Sequence, residues 1–309
     1  MSATMRAVVH DPDAPHGLRI AEVPAARPEP GQVLVSVQAV SLNFADIAFL
    51  AEGGVPGAIP GFDAAGVVVA GAADGSGPPP GARVVTFGWS GGWAQQRAVD
   101  TGELAVVPDH VDLGAAAAIP VAGVTARRAL RLLGPLAGRR ILVTGASGGV
   151  GGYAVQLAAL EGAEVIASVG RPERAAGLEA LGAAEVVVGL DGVSAPIDGA
   201  LDNVGGPTLA AAYALLAPGG TVASVGMASG EPTTIDFEQA RRRAGDTRIV
   251  AFTVGPEFGP DLSALVELVA AGRLDPLVDW RGPWDKVGEA AAALLGRTVR
   301  GKAVLEVTP

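Results

Sequence analysis

The residues best suited to chemistry lie in one run, "ILVTGASGGVGGYAVQLAAL", residues 141–160. An apolar stretch ends at Thr144. The turn Gly145-Ala146-Ser147-Gly148-Gly149-Val150-Gly151 then leads into a helical pattern. Small residues let a backbone approach a ligand closely. A helix N-terminus offers free N–H groups and a partial positive charge, so the arrangement suits a pyrophosphate. Gly151 would let the helix pack against the strand. The alternative is a tight strand-to-helix turn with no ligand. The next strand, "EVIASVG", ends near Gly170. An acid at its tip would hold the ribose 2′-OH of NAD. Ser168, Val169 and Gly170 supply none, and Arg171 and Arg174 follow. Two arginines there suit the 2′-phosphate of NADPH. Their other reading is a solvated first helical turn, a place where the helix dipole disfavours cations.

Other chemistries are excluded by what the chain lacks. It has no cysteine, which removes disulfides, thiol catalysis and Cys-ligated zinc. His10, His16 and His110 show no ligand spacing and read as surface or turn residues, so no metal is expected. The turn also satisfies the Thr-Gly-x-x-x-Gly-x-Gly pattern of short-chain reductases. Those place it at the N-terminus and use a Tyr-x-x-x-Lys pair. Here Tyr153 and Tyr213 are followed four residues on by Leu157 and Ala217, so that reading fails.

The elements around the turn follow from the rest of the chain. Its 309 residues are 49% hydrophobic and 17% charged, enough for a large core and more than one domain. A net charge of −10 disfavours nucleic acid. No basic stretch followed by an apolar one opens the sequence. The uncharged runs 141–160 and 203–230 are broken by glycines, so a cytoplasmic protein without membrane spans is expected. The first ~115 residues hold short strands such as "GQVLVSVQAVSLN", "AAGVVVAGA" and "GARVVTFG", split by turns such as "DGSGPPPGAR". This predicts a β-rich, barrel-like domain. Residues 113–133 form an Ala-rich helical run interrupted near Pro120. From Ile141 onward, apolar strands alternate with helical segments, among them "PERAAGLEALG", which predicts a doubly wound parallel α/β sheet of about six strands. Residues 261–309 hold two helices and a final strand, "GKAVLEV". That tail is too short to fold alone and is expected to complete the first domain.

Several blocks in order carry a resemblance over nearly the whole chain: "SLNFADI", "IPGFDAAGVV", "PGARV", "AAAIPVAGVTARRAL", "LDNVGG", "LAPGGTVASVGMASG" and "GKAVLEV". The sequence resembles the zinc-independent quinone oxidoreductase branch of the medium-chain dehydrogenase/reductase superfamily. The resemblance implies an α/β protein with a GroES-like β-rich catalytic domain (1–118 and 257–309) and a Rossmann NADPH-binding domain (119–256). It places Ala146, Ser147, Gly148, Gly149, Val150, Gly170, Arg171, Arg174, Asn203, Val225 and Gly226 on the cofactor. Thr125, Phe252 and Val254 would lie toward the nicotinamide. Where zinc-bearing relatives have Gly-His-Glu, this chain has Gly61-Phe62-Asp63.

Without a metal, the chemistry implied is hydride delivery to an already polarised acceptor, an enone or a quinone. Asn43 and Asp46 are the catalytic candidates. Asn43 would donate to the acceptor carbonyl, and Asp46 would orient water or the nicotinamide ribose. Their other reading is a structural turn after a strand. Phe62, Trp89 and Trp93 would line the substrate pocket or belong to the core. The chain lacks two tyrosines common in the family, one after the Asn-x-x-Asp segment and one near the third strand's end, where Gly189 stands. The alternatives are a dedicated enoyl or tailoring reductase of a biosynthetic pathway and a non-catalytic NADPH-binding protein. The strand "RIVAFTV" is expected to pair with its mate in a homodimer.

Overall fold

The computed structural model describes residues 3–48, 50–194, 196–243 and 245–308, with the side chains at 51, 52 and 243 excepted. Along the chain, β1 (Thr4–His10) and β2 (Leu18–Pro24) pair antiparallel. The long β3 (Gln32–Leu42) runs into the short helices α1 (Phe44–Ala48) and α2 (Leu50–Gly53). Then come β4 (Asp63–Ala70), β5 (Arg83–Phe87), β6 (Gln96–Asp100) and β7 (Leu104–Val106). Helices α3 (Leu113–Ala117) and α4 (Pro120–Arg131) follow, the break falling before Pro120. Next are β8 (Arg140–Thr144), α5 (Gly149–Leu160), β9 (Glu164–Val169), β10 (Glu185–Val188), β11 (Ile197–Asp202), α6 (Gly206–Ala214), β12 (Leu216–Ser224), α7 (Phe237–Arg243) and β13 (Arg248–Ala251). The chain closes with α8 (Gly259–Ala270), β14 (Val278–Pro283), α9 (Val287–Leu295) and β15 (Lys302–Glu306).

Two compact units result, Met1–Val124 with Pro256–Pro309, and Thr125–Gly255. The first crossing falls inside α4, where the sequence reading put it at 118/119.

The first unit is built on a seven-stranded sheet of order β14-β15-β3-β4-β5-β7, with β6 also paired to β3. The C-terminal strand β15 lies antiparallel on β3, pairing Ala303 with Leu42 and Glu306 with Ala39. The tail therefore finishes this sheet. Burial along β3 alternates at first and becomes continuous from Ala39 to Leu42, where strands lie on both sides and helices cover it. Its core gathers Val40, Leu42, Trp93, Trp284 and Leu305. The sequence reading missed β14, whose exposed Asp279, Arg281 and Pro283 alternate with half-buried neighbours at an edge that Pro tolerates.

The second unit is a six-stranded parallel sheet of order β10-β9-β8-β11-β12-β13. The chain thus has the GroES-like plus Rossmann architecture. Central β8 and β9 are almost wholly buried, which is why they read as unbroken apolar runs. The expected helix in "PERAAGLEALG" does not form. A single 3-10 turn, Pro172–Arg174, is followed by turns. Gly177 and Gly182 sit at φ +86 and +105, values a helix cannot continue through. Among the described residues, no helix is long and apolar enough to cross a membrane.

Candidate functional site

In the second unit the C-terminal ends of three neighbouring strands come together. Gly145 turns at φ +60, and Gly148 caps α5 with an extended backbone. A Cβ on Gly151 would stand 2.3 Å from the Gly145 carbonyl oxygen, so the helix can approach the strand only with glycine there. Thr144 Oγ1 donates to Asp202 Oδ1 at 2.6 Å, and Gly205 N–H to Asp202 Oδ2 at 2.7 Å. Burial pushes the Asp202 carboxyl above its ordinary range. Asn203 returns to the first strand, its Nδ2 donating to the Thr144 carbonyl at 2.8 Å and its N–H to Thr144 Oγ1 at 3.1 Å. Val225 and Gly226 N–H both point at the Asp202 carbonyl, and a Cβ on Gly226 would strike the Asn203 carbonyl oxygen at 2.6 Å. Side chains are thus kept out of a groove edged by Gly145–Gly151, Asn203 and Val225–Gly226. Such a cradle of small residues at a helix N-terminus fits the pyrophosphate of a dinucleotide.

The neighbouring positions are also fixed. Gly170 has open space where a Cβ would lie. Arg174 Nε donates to Ser147 Oγ at 2.8 Å and Nη2 to the Ser147 carbonyl at 3.0 Å. Arg171 is exposed. Gly189, at φ +69, takes the Ser168 hydroxyl on its carbonyl at 2.9 Å and leaves open space where a side chain would stand. Phe252 N–H bonds the Ser224 carbonyl just beyond β13, and Arg128 Nη1 holds the Val254 carbonyl at 2.5 Å. Thr125 is buried in α4.

In the first unit, Asn43 and Asp46 lie in a buried polar network. Asp46 Oδ2 accepts from Asn43 N–H at 2.7 Å and from Asn43 Nδ2 at 3.1 Å, while Oδ1 accepts from Phe62 N–H at 3.2 Å. Asn43 Nδ2 also donates to Asp63 Oδ2 at 2.9 Å. Its Oδ1 accepts from the Lys302 ammonium, which lies 3.3 Å from Asp63 Oδ2. Asp63 further accepts from Ser41 Oγ at 2.9 Å and from Val121 N–H at 3.1 Å. Both amide hydrogens of Asn43 are therefore committed to carboxylates, so the donor expected toward a substrate carbonyl is already in use. Burial, and next the Asp63 charge, push Asp46 up to about 7. Arg97 braces the adjacent loops through the Phe62 carbonyl, Thr86 Oγ1 and the Ser90 carbonyl, and burial lowers it to about 10.

Phe62 and Trp89 pack edge to face, ring centroids 6.0 Å apart. Trp89 also meets Phe87 at 5.0 Å, and Phe87 stacks on Phe258. Trp93 does not join them. It is 0% exposed, with Nε1 on the Ser41 carbonyl, so it is a core residue that no ligand lines. Gly61, at φ +95, passes directly against its ring. Sequence reasoning missed Lys302 and Asp63 as partners of Asn43, Ser41 as a partner of Asp63, and Arg97 as the brace of the neighbouring segments. The one available signal was that Lys302 is one of two lysines, set at the start of a strand whose next three residues are apolar.

Comparisons with known proteins identify the family. Residues 29–109 match the alcohol dehydrogenase GroES-like domain and residues 181–305 the zinc-binding dehydrogenase domain. The chain is 35% identical to acrylyl-CoA reductase AcuI of Ruegeria pomeroyi, covering 66% of this chain and 69% of that one. It is 31% identical to the chloroplastic quinone-oxidoreductase QR1 of Triphysaria versicolor over 98% of both. A mycobacterial protein solved in complex with NADPH superposes with a TM-score of 0.85 at 26% identity, covering 99% of this chain and 100% of that one. With its GroES-like and Rossmann halves in that order, and Phe62 where zinc-bearing relatives carry histidine, the chain belongs to the zinc-independent quinone oxidoreductase branch of the medium-chain dehydrogenase/reductase superfamily.

Proposed function

We propose that the chain is an NADPH-dependent reductase of enones, that is, C=C bonds conjugated to a carbonyl, or of quinones. The observation that carries the cofactor half is the glycine-rich turn at Gly145–Gly151 with Arg174 bound to its Ser147. N–H groups of Gly149 and Val150 hold the pyrophosphate, Gly148, whose N–H closes the turn on the Gly145 carbonyl, keeps the approach free of a side chain, and Arg171 and Arg174 hold the 2′-phosphate. Asn203, Val225, Gly226, Phe252, Val254 and Thr125 line the remainder. Bound NADPH supplies a hydride.

The chain's own residues supply the rest. Reduction of an enone needs one hydride and one proton. Asp46, raised to about 7, is protonated in about half of the molecules at neutral pH and is the proton source. Asn43 bridges Asp46 and Asp63; burial and then the Asp63 charge raise Asp46, and the Asn43 bonds moderate that rise. Phe62 and Trp89 give the acceptor an aromatic surface. An alcohol would have to lose a proton as hydride leaves, and the chain has neither a cysteine–histidine zinc set nor a Tyr–Lys pair for that. The likeness to an acrylyl-CoA reductase favours a second reading, reduction of a conjugated enoyl thioester in a dedicated pathway, by the same residues. The protein is read as a cytoplasmic homodimer paired through the edge strand β13.

The test is a panel of quinones, simple enones, enoyl thioesters and primary alcohols, followed by cofactor absorbance. Turnover of a conjugated acceptor with NADPH in preference to NADH is expected. Oxidation of primary alcohols with NADP⁺, and no reduction of any conjugated acceptor, would overturn the reading. Tight NADPH binding with no acceptor turned over would leave a non-catalytic binding protein.

A further inference from the structure

Arg174 reaches back across 27 residues to the glycine turn. Two of its nitrogens engage one residue, Nε the Ser147 hydroxyl and Nη2 the Ser147 carbonyl. A two-point hold fixes the plane of the guanidinium fork as well as its position. Arg171 contrasts with it. Its backbone is extended at φ −149, its side chain is exposed, and it has no side-chain hydrogen bond or ion pair among the described residues. Ser147 stands between Ala146 and Gly148, in a turn that otherwise keeps side chains away. Its hydroxyl does not serve as the helix cap, since Gly148 occupies the N-cap.

We infer that Ser147 is the positioning residue for phosphate selection: it holds Arg174 in the orientation that receives the 2′-phosphate. The inference rests on the NADPH reading above. A hydroxyl that accepts from Nε retains its own hydrogen to donate, so Ser147 also offers an O–H to an anion bound at Arg174. The arginine loses its rotamer freedom before the ligand arrives, so less is lost on binding. Arg171, without such a hold, closes on the phosphate from the solvent side. Selection for the 2′-phosphate thus depends on a residue of the pyrophosphate turn as well as on the tip of the second strand.

The test is calorimetric titration of the whole protein with adenosine 2′,5′-bisphosphate and with adenosine 5′-monophosphate. Ser147→Ala is expected to weaken the bisphosphate about fivefold, the scale of one neutral hydrogen bond, and to leave the monophosphate unchanged. Ser147→Thr restores the hydroxyl and the affinity. Arg174→Ala weakens the bisphosphate by roughly 10- to 100-fold. Bisphosphate affinity unchanged in Ser147→Ala, while Arg174→Ala loses it, would overturn the role of Ser147 and spare the NADPH reading. Equal weakening of both ligands in Ser147→Ala would overturn it too, because the serine would then only shape the turn. A wild-type protein that binds the two ligands equally would sink the NADPH preference itself.

Discussion

The two polar centres of the molecule are built by opposite means. The glycine turn at 145–151 is made mainly of backbone, from residues adjacent in sequence, with the Ser147 hydroxyl as its one polar side chain. The network around Asp46 is made of side chains, from β3 (Ser41), the turn after it (Asn43), α1 (Asp46), the start of β4 (Asp63) and the start of β15 (Lys302). Asn43 and Lys302 are 259 residues apart. The first centre tolerates change wherever a Cβ finds room. In the second, every donor answers a buried charge, and removal of any one leaves another unpaired. Stability and pH dependence should therefore concentrate in the network, and ligand discrimination in the turn.

The largest effect expected is at Lys302, whose side chain is 2% exposed beside a 0% exposed Asp63. Lys302→Met keeps the apolar stem but removes the cation 3.3 Å from Asp63 and leaves Arg97 as the remaining positive charge acting on it. Breaking a buried pair from one side costs about 3–5 kcal/mol. Urea denaturation should show that loss, and a change under ~1 kcal/mol would mean that the lysine is not part of a buried charge balance.

Next is the pH dependence set by Asp46. Its folded value, about 7, lies above the ordinary carboxylate value near 3.8. The folded protein therefore holds the proton more tightly than the unfolded chain does. The stability contributed by the protonated carboxyl is fully present below about pH 4 and is lost as pH rises through 7. Asp46→Asn cannot ionise, so the wild type should lose roughly 2–4 kcal/mol relative to the variant between pH 4 and 8. A stability difference that stays flat across that interval would refute a raised Asp46.

This contrast also explains what the sequence allowed to be read. The strand at 140–144, the turn and the helix after it are local, and their pattern survives in a linear reading because each step depends on near neighbours. Six apolar runs likewise announced a parallel sheet. The partners of Asn43 could not be read that way: nothing local to "GKAVLEV" says that Lys302 meets Asn43, because β15 acquires its place by pairing between β14 and the distant β3. Residues 172–182 misled for another reason. Leu and Ala there have helical periodicity, but Gly177 and Gly182 adopt positive φ and stop the helix after one turn. Trp93 was ambiguous because an aromatic beside a glycine suits a pocket or a core equally, and its complete burial, with Nε1 on the Ser41 carbonyl and Gly61 against its ring, decides for the core.

Within the turn, two glycines separate close packing from mere permissiveness. At Gly151 a Cβ would lie 2.3 Å from the Gly145 carbonyl and 2.8 Å from Ala146 Cα, both backbone atoms that cannot swing aside. Gly151→Ala should cost ~1–3 kcal/mol, the usual penalty for overpacking. At Gly148 the nearest atom is at 3.4 Å and φ is −88, which alanine adopts freely. Gly148→Ala should change stability by less than ~0.5 kcal/mol. Thermal unfolding of both variants decides the point, and equal losses would mean that the turn is uniformly tight.

A loss in stability smaller than that at Gly151 is expected at Trp89, and it asks whether the first unit also contains a surface that works by what it leaves uncovered. Trp89 is 59% exposed, yet its ring is held edge-on by Phe62 at 6.0 Å and Phe87 at 5.0 Å. Such pairs contribute about 0.5–1.5 kcal/mol beyond area burial. Trp89→Ala should therefore lower stability by no more than ~1.5 kcal/mol, since much of the ring contacts solvent already. Its larger consequence should be on acceptors. A flat quinone ring can stack on an exposed indole, whereas a short aliphatic enone gains little from it. The variant should raise KM for a quinone by roughly three- to tenfold, with kcat and the KM for a small enone nearly unchanged, as expected when binding common to ground and transition states is lost. Leucine at 89 keeps apolar area without the π face, so it should restore stability but not the quinone KM. Equal quinone kinetics in the wild type and the alanine variant would assign Trp89 to packing alone.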